Sequence, residues 1–372
     1  MFVCKMDHHR YVSLEMIFIL CLLSGVYVFE CFQQHYLWFP KSVFAMLLGA
    51  GMHFIVDEVV FDTELFLFLM LPPMVLRSSL SIPLRDVDSL RPAFVFATCG
   101  TLLSCGIITW GCLCFMSFEK ALLLGTLLSS TDQVALTTLM KYIRAKVPDR
   151  VYWTLQNESF INDAVSITFV HLIQYSGSLV HMGMFLTCVM VVTCVLTRWL
   201  AVLMVRYKFV DPQIVLLVAL MLYSVGEFLF MSGILLLFLF GFSIRQHAKE
   251  TKKVCDILST LLEDYVYLLL GSSSYTFTLN KDILVGLYVC FVCWVSRVCT
   301  AFMCGSAFFS VREMCFISMT SIRGAVAVAL AFSINDAYIQ MIVFVNVLAS
   351  TILHGSTICV LPTYLHLQRS SI

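Results

Sequence analysis

The chain has 372 residues, 60% of them hydrophobic and only 12% charged, with a mean hydropathy of +0.93. A soluble domain carries about 25% charged residues, so the composition excludes a water-soluble monomer. The formal net charge is zero, which leaves no global basic face for nucleic acid and no acidic tail.

A membrane-spanning helix needs about 20 apolar residues, and such windows recur almost end to end. The first, Tyr11–Phe32, contains Glu15 and Glu30 and lacks a small-residue cleavage site, so it reads as a span rather than a signal peptide. Spans follow at 38–56, 63–82 and 92–117. The fifth, 119–141, carries Ser129-Ser130-Thr131-Asp132-Gln133 at its centre. Consecutive hydroxyl residues before an acid suit a locally unwound helix, in which side chains substitute for lost backbone bonds. A continuous helix whose hydroxyls bond back to its own carbonyls is the other reading.

The sixth span, 150–174, contains Asn157–Val165, NESFINDAV, with two carboxylates inside an apolar stretch. Ionisable groups in spans are costly and face a cavity or a partner. Glu158 and Asp163 are five residues apart, which separates them by roughly 140° around a helix axis. They are therefore not a pair serving one site. Either each sits in its own ion pair, or one is paired while the other faces a cavity.

Spans at 180–204, 211–228, 230–246 and 257–278 come next, and the short pair around Gly226–Gly233 reads as two passes or as one broken helix. The eleventh, 283–308, holds Arg297 and the Cys290–Cys293 pair. That CxxC spacing lies in an apolar helix without a second pair, so its thiols, like most of the 16 cysteines, read as small hydrophobes. The twelfth, 311–334, contains Ser321-Ile322-Arg323-Gly324-Ala325; an arginine beside a glycine in mid-span suggests a tight crossing with another helix. The thirteenth is 338–364. One set of alternate loops holds most of the lysines and arginines, from Lys41 and Arg85 to Lys253 and Arg312. The other holds little beyond Lys120 and Lys281. This asymmetry places the first set in the cytoplasm, the N-terminus outside and the C-terminus inside. The clusters of the fifth and twelfth spans occupy equivalent positions if spans one to six and eight to thirteen are inverted repeats, a recurrent transporter design.

Eight segments in order then carry a family resemblance: LFLFLMLPPMVLRSSLSIPLR at 65–85, LLLGTLLSSTDQVAL at 122–136, NESFINDAV at 157–165, SVGEFLFMSGILLLFLFG at 224–241, YLLLGSSSYTF at 267–277, SRVCTAF at 296–302, SIRGAVAVAL at 321–330 and LHGST at 353–357. Together they resemble the cation/proton antiporters of the sodium/proton exchanger type over nearly the whole chain. The resemblance implies an all-α polytopic membrane protein of about 13 helices with inverted repeats and two broken helices crossing near Asp132 and Arg323. One membrane domain is expected to fill residues 1–372, with interleaved dimerisation and core subdomains and no soluble regulatory domain. Asp163 matches the family's ion-binding aspartate and Asn162 its neighbour, with Asp132 and Thr131 from the facing segment. Members with Asn-Asp at this pair typically exchange one Na⁺, K⁺ or Li⁺ for one H⁺. Glu158 and Arg323 match residues that pair structurally, and Arg297 matches a core arginine. The resemblance thus implies an electroneutral exchanger acting as a homodimer in the plasma membrane or an endomembrane, without cofactor or enzyme activity. Na⁺ (or K⁺) at Asp163 and H⁺ are its substrates. The sequence departs from the family at Gln133, where Pro is usual, at Asn157 and at Ser321. An inactive or sensor-like relative is the alternative that these departures raise.

Overall fold

The computed structural model describes residues 19–30, 41–52, 62–81, 90–143, 146–174, 179–229, 232–273, 282–334 and 336–365. The regular structure among them is helical. In chain order the helices are α1 (Ile19–Glu30), α2 (Lys41–Met52), α3 (Thr63–Leu80) and α4 (Leu90–Cys112), the last two each containing a π turn. Next come α5 (Phe118–Leu127), α6 (Gln133–Ile143), α7 (Asp149–Gln174) and α8 (Leu179–Arg206). They are followed by α9 (Pro212–Phe228), α10 (Gly233–Ile244), α11 (Lys249–Ser272) and α12 (Asp282–Gly305). The last three are α13 (Val311–Ser318), α14 (Ala325–Ser333) and α15 (Ala337–Tyr364).

Two pairs, α5 with α6 and α13 with α14, are halves of single passes, so the described helices fill the thirteen expected spans. The breaks fall at the Ser-Ser-Thr-Asp stretch and just before Gly324, at the two positions that the inverted-repeat reading makes equivalent. The alternative of a continuous fifth helix is thereby removed. α9 and α10 pack against each other, and Gly233 N donates to Glu227 Oε1 at 3.1 Å, so α9 and α10 are two separate passes rather than one broken helix. The expected first-span residues 11–18, the loop residues Arg85, Arg144 and Lys281, and positions 274–277 lie outside the described residues.

The helices pack in two groups. One contains α2, α3, α9, α10 and α11, with α8 lying on α10. The other contains α4 to α7 and α12 to α15; α14 touches α3 and α11, and α7 touches α10, where the groups meet. Close backbone approach holds the first group together at the α2–α11 crossing. A Cβ at Gly49 would strike the Leu268 carbonyl, and one at Gly271 would strike that of Met46. Small residues permit such crossings in lipid, where van der Waals packing rather than water exclusion drives association.

Charge neutralisation follows the same division. In the first group Lys41 bridges Glu30 and Asp264, with Lys41 Nζ 2.9 Å from Asp264 Oδ2. Arg77 holds Asp256 at 3.0 Å and Glu263 at 2.5 Å. Charges near span ends are thus neutralised between neighbouring helices, as their cost in hydrocarbon requires.

Candidate functional site

The site begins with the two unwound stretches, because a broken helix leaves carbonyls and N–H groups that hydrocarbon cannot satisfy. The stretches satisfy one another. Asp132 N donates to the Ile322 carbonyl at 2.9 Å, a backbone bond between the two breaks. Arg323 is fully buried, and its Nη1 donates to the carbonyls of Ser129, at 3.1 Å, and of Ser130. Arg323 N in turn donates to Ser350 Oγ on α15 at 3.1 Å. Glycine is required next in sequence, because a Cβ at Gly324 would collide with the Asp132 carboxylate.

Asp132 also starts α6. Its carbonyl accepts from Leu136 N at 3.2 Å and its Oδ2 from Ala135 N at 3.3 Å, so the aspartate acts as an N-cap. Gln133 is therefore the first helical residue, a position whose N–H has no acceptor within the helix. Proline is favoured at such a position for that reason, yet nothing there demands it. The break forms with glutamine because Arg323, Ile322 and the aspartate cap support it.

Asp163, on α7, is buried at this crossing with 3% exposure. The Ser130 hydroxyl hydrogen-bonds its carboxyl group, and the charges of Asp132 and Arg323 act on it. Its neighbour Asn162 donates Nδ2 to Thr131 Oγ1 at 2.8 Å, tying α7 to the unwound stretch. The Asn162 Oδ1 atom is buried without a partner among the described residues. Ser166 Oγ, one turn on, donates to the Thr126 carbonyl at 2.6 Å. The crossing thus brings together Asp163, Asn162, Asp132, Thr131 and Arg323. Carboxylate and carbonyl oxygens are the donors that suit hard cations.

One expected pairing is corrected. Glu158 does not pair with Arg323; it is held by Arg297 of α12, whose Nη2 lies 3.0 Å from Glu158 Oε2 while Nη1 contacts Oε1. Arg297 also donates to the Ile317 carbonyl at 3.3 Å and to Thr320 Oγ1 at 3.1 Å, joining α7, α12 and the end of α13. The reason is geometric. Glu158 leaves α7 on a different side from Asp163, and the carbonyls of the unwound stretch already occupy Arg323. A bidentate guanidinium–carboxylate pair is the strong form of this contact.

Tyr267 of α11 is a site residue that the sequence did not single out. Its hydroxyl donates to Asp132 Oδ2 at 2.9 Å. It lies in the apolar run YLLLG, where nothing marks which residue faces a carboxylate. Ser350 was equally silent in its helix.

Comparison with known proteins decides the family. Residues 17–361 match the family described as sodium/hydrogen exchanger, transmembrane. The chain belongs to that family. An endosomal/prevacuolar sodium/hydrogen exchanger of Saccharomyces cerevisiae is 26% identical over 82% of this chain and 58% of its own length. An uncharacterised Na⁺/H⁺ antiporter of Schizosaccharomyces pombe is 26% identical over 64% of this chain and 48% of its own. The chain spans about half the length of the curated relatives it matches. The sodium proton antiporter MjNhaP1 of Methanocaldococcus jannaschii has the same fold, with a TM-score of 0.74 at 19% identity over 96% of this chain and 99% of that one. The protein is accordingly a multi-pass membrane protein of a transporter family and not an enzyme.

Proposed function

We propose that the chain exchanges Na⁺, or K⁺ or Li⁺, for H⁺ in an electroneutral cycle centred on Asp163. The observation that carries this reading is the buried charge at the crossing. Asp132 and Asp163 are both buried there, with one arginine, Arg323, beside them. Glu158 and Arg297 cancel each other nearby. With both aspartates ionised, the empty site carries one net negative charge. One monovalent cation or one proton brings it to neutrality. Moving an uncompensated charge through a low-dielectric barrier is costly, so the loaded forms cross and the empty form does not. That asymmetry couples one cation to one proton without net charge movement.

Asp163 is the carboxylate that takes either ion. Asn162, through its unpartnered Oδ1, and Thr131 and Asp132 supply further oxygens. Alternating access follows from sliding the group of α4 to α7 and α12 to α15 as the core against the group of α2, α3 and α9 to α11 as the dimerisation subdomain. The working unit is a homodimer, in the plasma membrane or an endomembrane, and its exchange regulates pH and cation content. The rival reading, an inactive or sensor-like relative, draws on Gln133, Asn157 and Ser321. The crossing forms with Gln133 in place, which weakens the first of these grounds.

The test is proton movement in reconstituted vesicles with an imposed pH gradient. Added Na⁺, K⁺ or Li⁺ is expected to dissipate the gradient at a rate unchanged when valinomycin and K⁺ clamp the membrane potential. A rate that follows the clamped potential would remove electroneutrality; an unresponsive gradient would remove exchange.

A further inference from the structure

Asp132 is held from two directions. Ala135 N reaches its Oδ2 from within α6, as any capped helix would arrange. The second donor is of a different kind: Tyr267 comes from α11, which packs on α2 and α3 in the opposite helix group and also touches α14. Tyr267 is itself buried, with 4% exposure, in a stretch of leucines that offers its hydroxyl no water. A buried tyrosine hydroxyl needs a partner, and here it takes an ionisable one across the boundary between the two helix groups.

We propose that Tyr267 is a positioning residue for the cation site: its hydroxyl, reaching from the opposite helix group, fixes the Asp132 carboxyl group in its ion-binding orientation. The inference rests on the reading of Asp163 and Asp132 as the exchange site. Two donors on Oδ2, with Gly324 pressed against the carboxylate carbon, leave the group little rotational freedom. Without the phenol oxygen, the carboxyl group faces a bare ring and loses a bond that orients it. Cation binding then has to order the group itself, a cost that preorganisation otherwise removes. Because the bond joins the two helix groups, it is also one that must open when they slide.

The test compares wild type, Tyr267→Phe and the control Tyr223→Phe, which removes a buried tyrosine hydroxyl on α9 away from the crossing. Each full-length protein is reconstituted for Na⁺-dependent proton flux and titrated with Na⁺ in detergent while its melting temperature is followed. Tyr267→Phe is expected to raise the half-saturating Na⁺ concentration about 5-fold or more, as loss of one hydrogen bond of about 1 kcal/mol implies. The melting titration should shift in parallel. Tyr223→Phe is expected to leave the half-saturation point in place. If Tyr267→Phe matches wild type in both titrations, or moves only as far as Tyr223→Phe, the positioning role is overturned while exchange stands. If wild type shows no flux but is stabilised by Na⁺, the exchange reading fails and the melting titration alone decides the role of Tyr267. Absence of both responses in wild type removes both.

Discussion

Reassigning Glu158 from Arg323 to Arg297 makes a quantitative prediction. Glu158→Gln leaves the Arg297 guanidinium buried with only the Ile317 carbonyl, the Thr320 hydroxyl and one neutral amide oxygen. Removing one partner of a buried pair costs about 3–5 kcal/mol, because the other charge is left uncompensated. The remaining neutral acceptor places Glu158→Gln toward the lower end. Arg297→Met strands Glu158 in turn and also removes the guanidinium's bonds to the Ile317 carbonyl and Thr320 Oγ1, although those two groups still bond each other, so it should cost somewhat more. Removing both together eliminates the stranded charge, and the double variant should be more stable than the sum of the single losses by about 1–3 kcal/mol. Glu158→Gln combined with Arg323→Met shares no hydrogen-bond partner, so those losses should add to within about 0.5 kcal/mol. Unfolding of the purified variants in detergent, followed by temperature or denaturant, measures these losses. Coupling to Arg323 as large as that to Arg297 would refute the assignment.

Gly324→Ala drives a methyl group into the Asp132 carboxylate, and should cost about 1–3 kcal/mol of stability and abolish Na⁺-dependent proton flux; normal flux would contradict the crossing geometry. Gln133→Pro places proline at the first residue of α6, where no intrahelical bond is lost, so stability should stay within about 1 kcal/mol of wild type; unfolding of this variant would show that α6 starts elsewhere. At the loop before α15, a hydrogen bond from Lys120 Nζ, 2.7 Å away, holds Asp336 below the usual carboxylate range. A lowered value means stability that is present at neutral pH and is lost as pH falls through the folded-state value. Lys120 is exposed and Asp336 partly so, which screens the pair, so Asp336→Asn should cost less than about 1 kcal/mol at pH 7. Its melting difference from wild type should fade below the ordinary carboxylate value of about 3.9. A difference that grew on acidification would reverse the sign of the argument.

Much of this architecture was legible because lipid forces a simple relation between sequence and structure. Apolar runs become helices, and hydroxyls or glycines in mid-run mark breaks, so Ser129–Asp132 and Ser321–Gly324 located the crossing. The helical wheel separated Glu158 from Asp163 correctly. It could not name Glu158's partner, since a wheel fixes direction and not which neighbouring helix stands there. The absence of proline at position 133, where Gln133 stands, was a weaker signal than it seemed in the sequence, because a helix start tolerates proline without requiring it. Tyr267 was unreadable for a related reason: a tyrosine among leucines is ordinary in a span, and only packing shows that its hydroxyl meets Asp132.

The central claim, that one carboxylate carries both ions, is tested most directly by Na⁺-driven proton flux in vesicles containing Asp163→Asn beside wild type. The variant keeps the size of the side chain and loses the charge that takes Na⁺ or H⁺. Wild type is expected to dissipate the imposed gradient, while Asp163→Asn, equally well expressed and folded, is expected to leave it standing. Wild-type flux from Asp163→Asn would contradict the account.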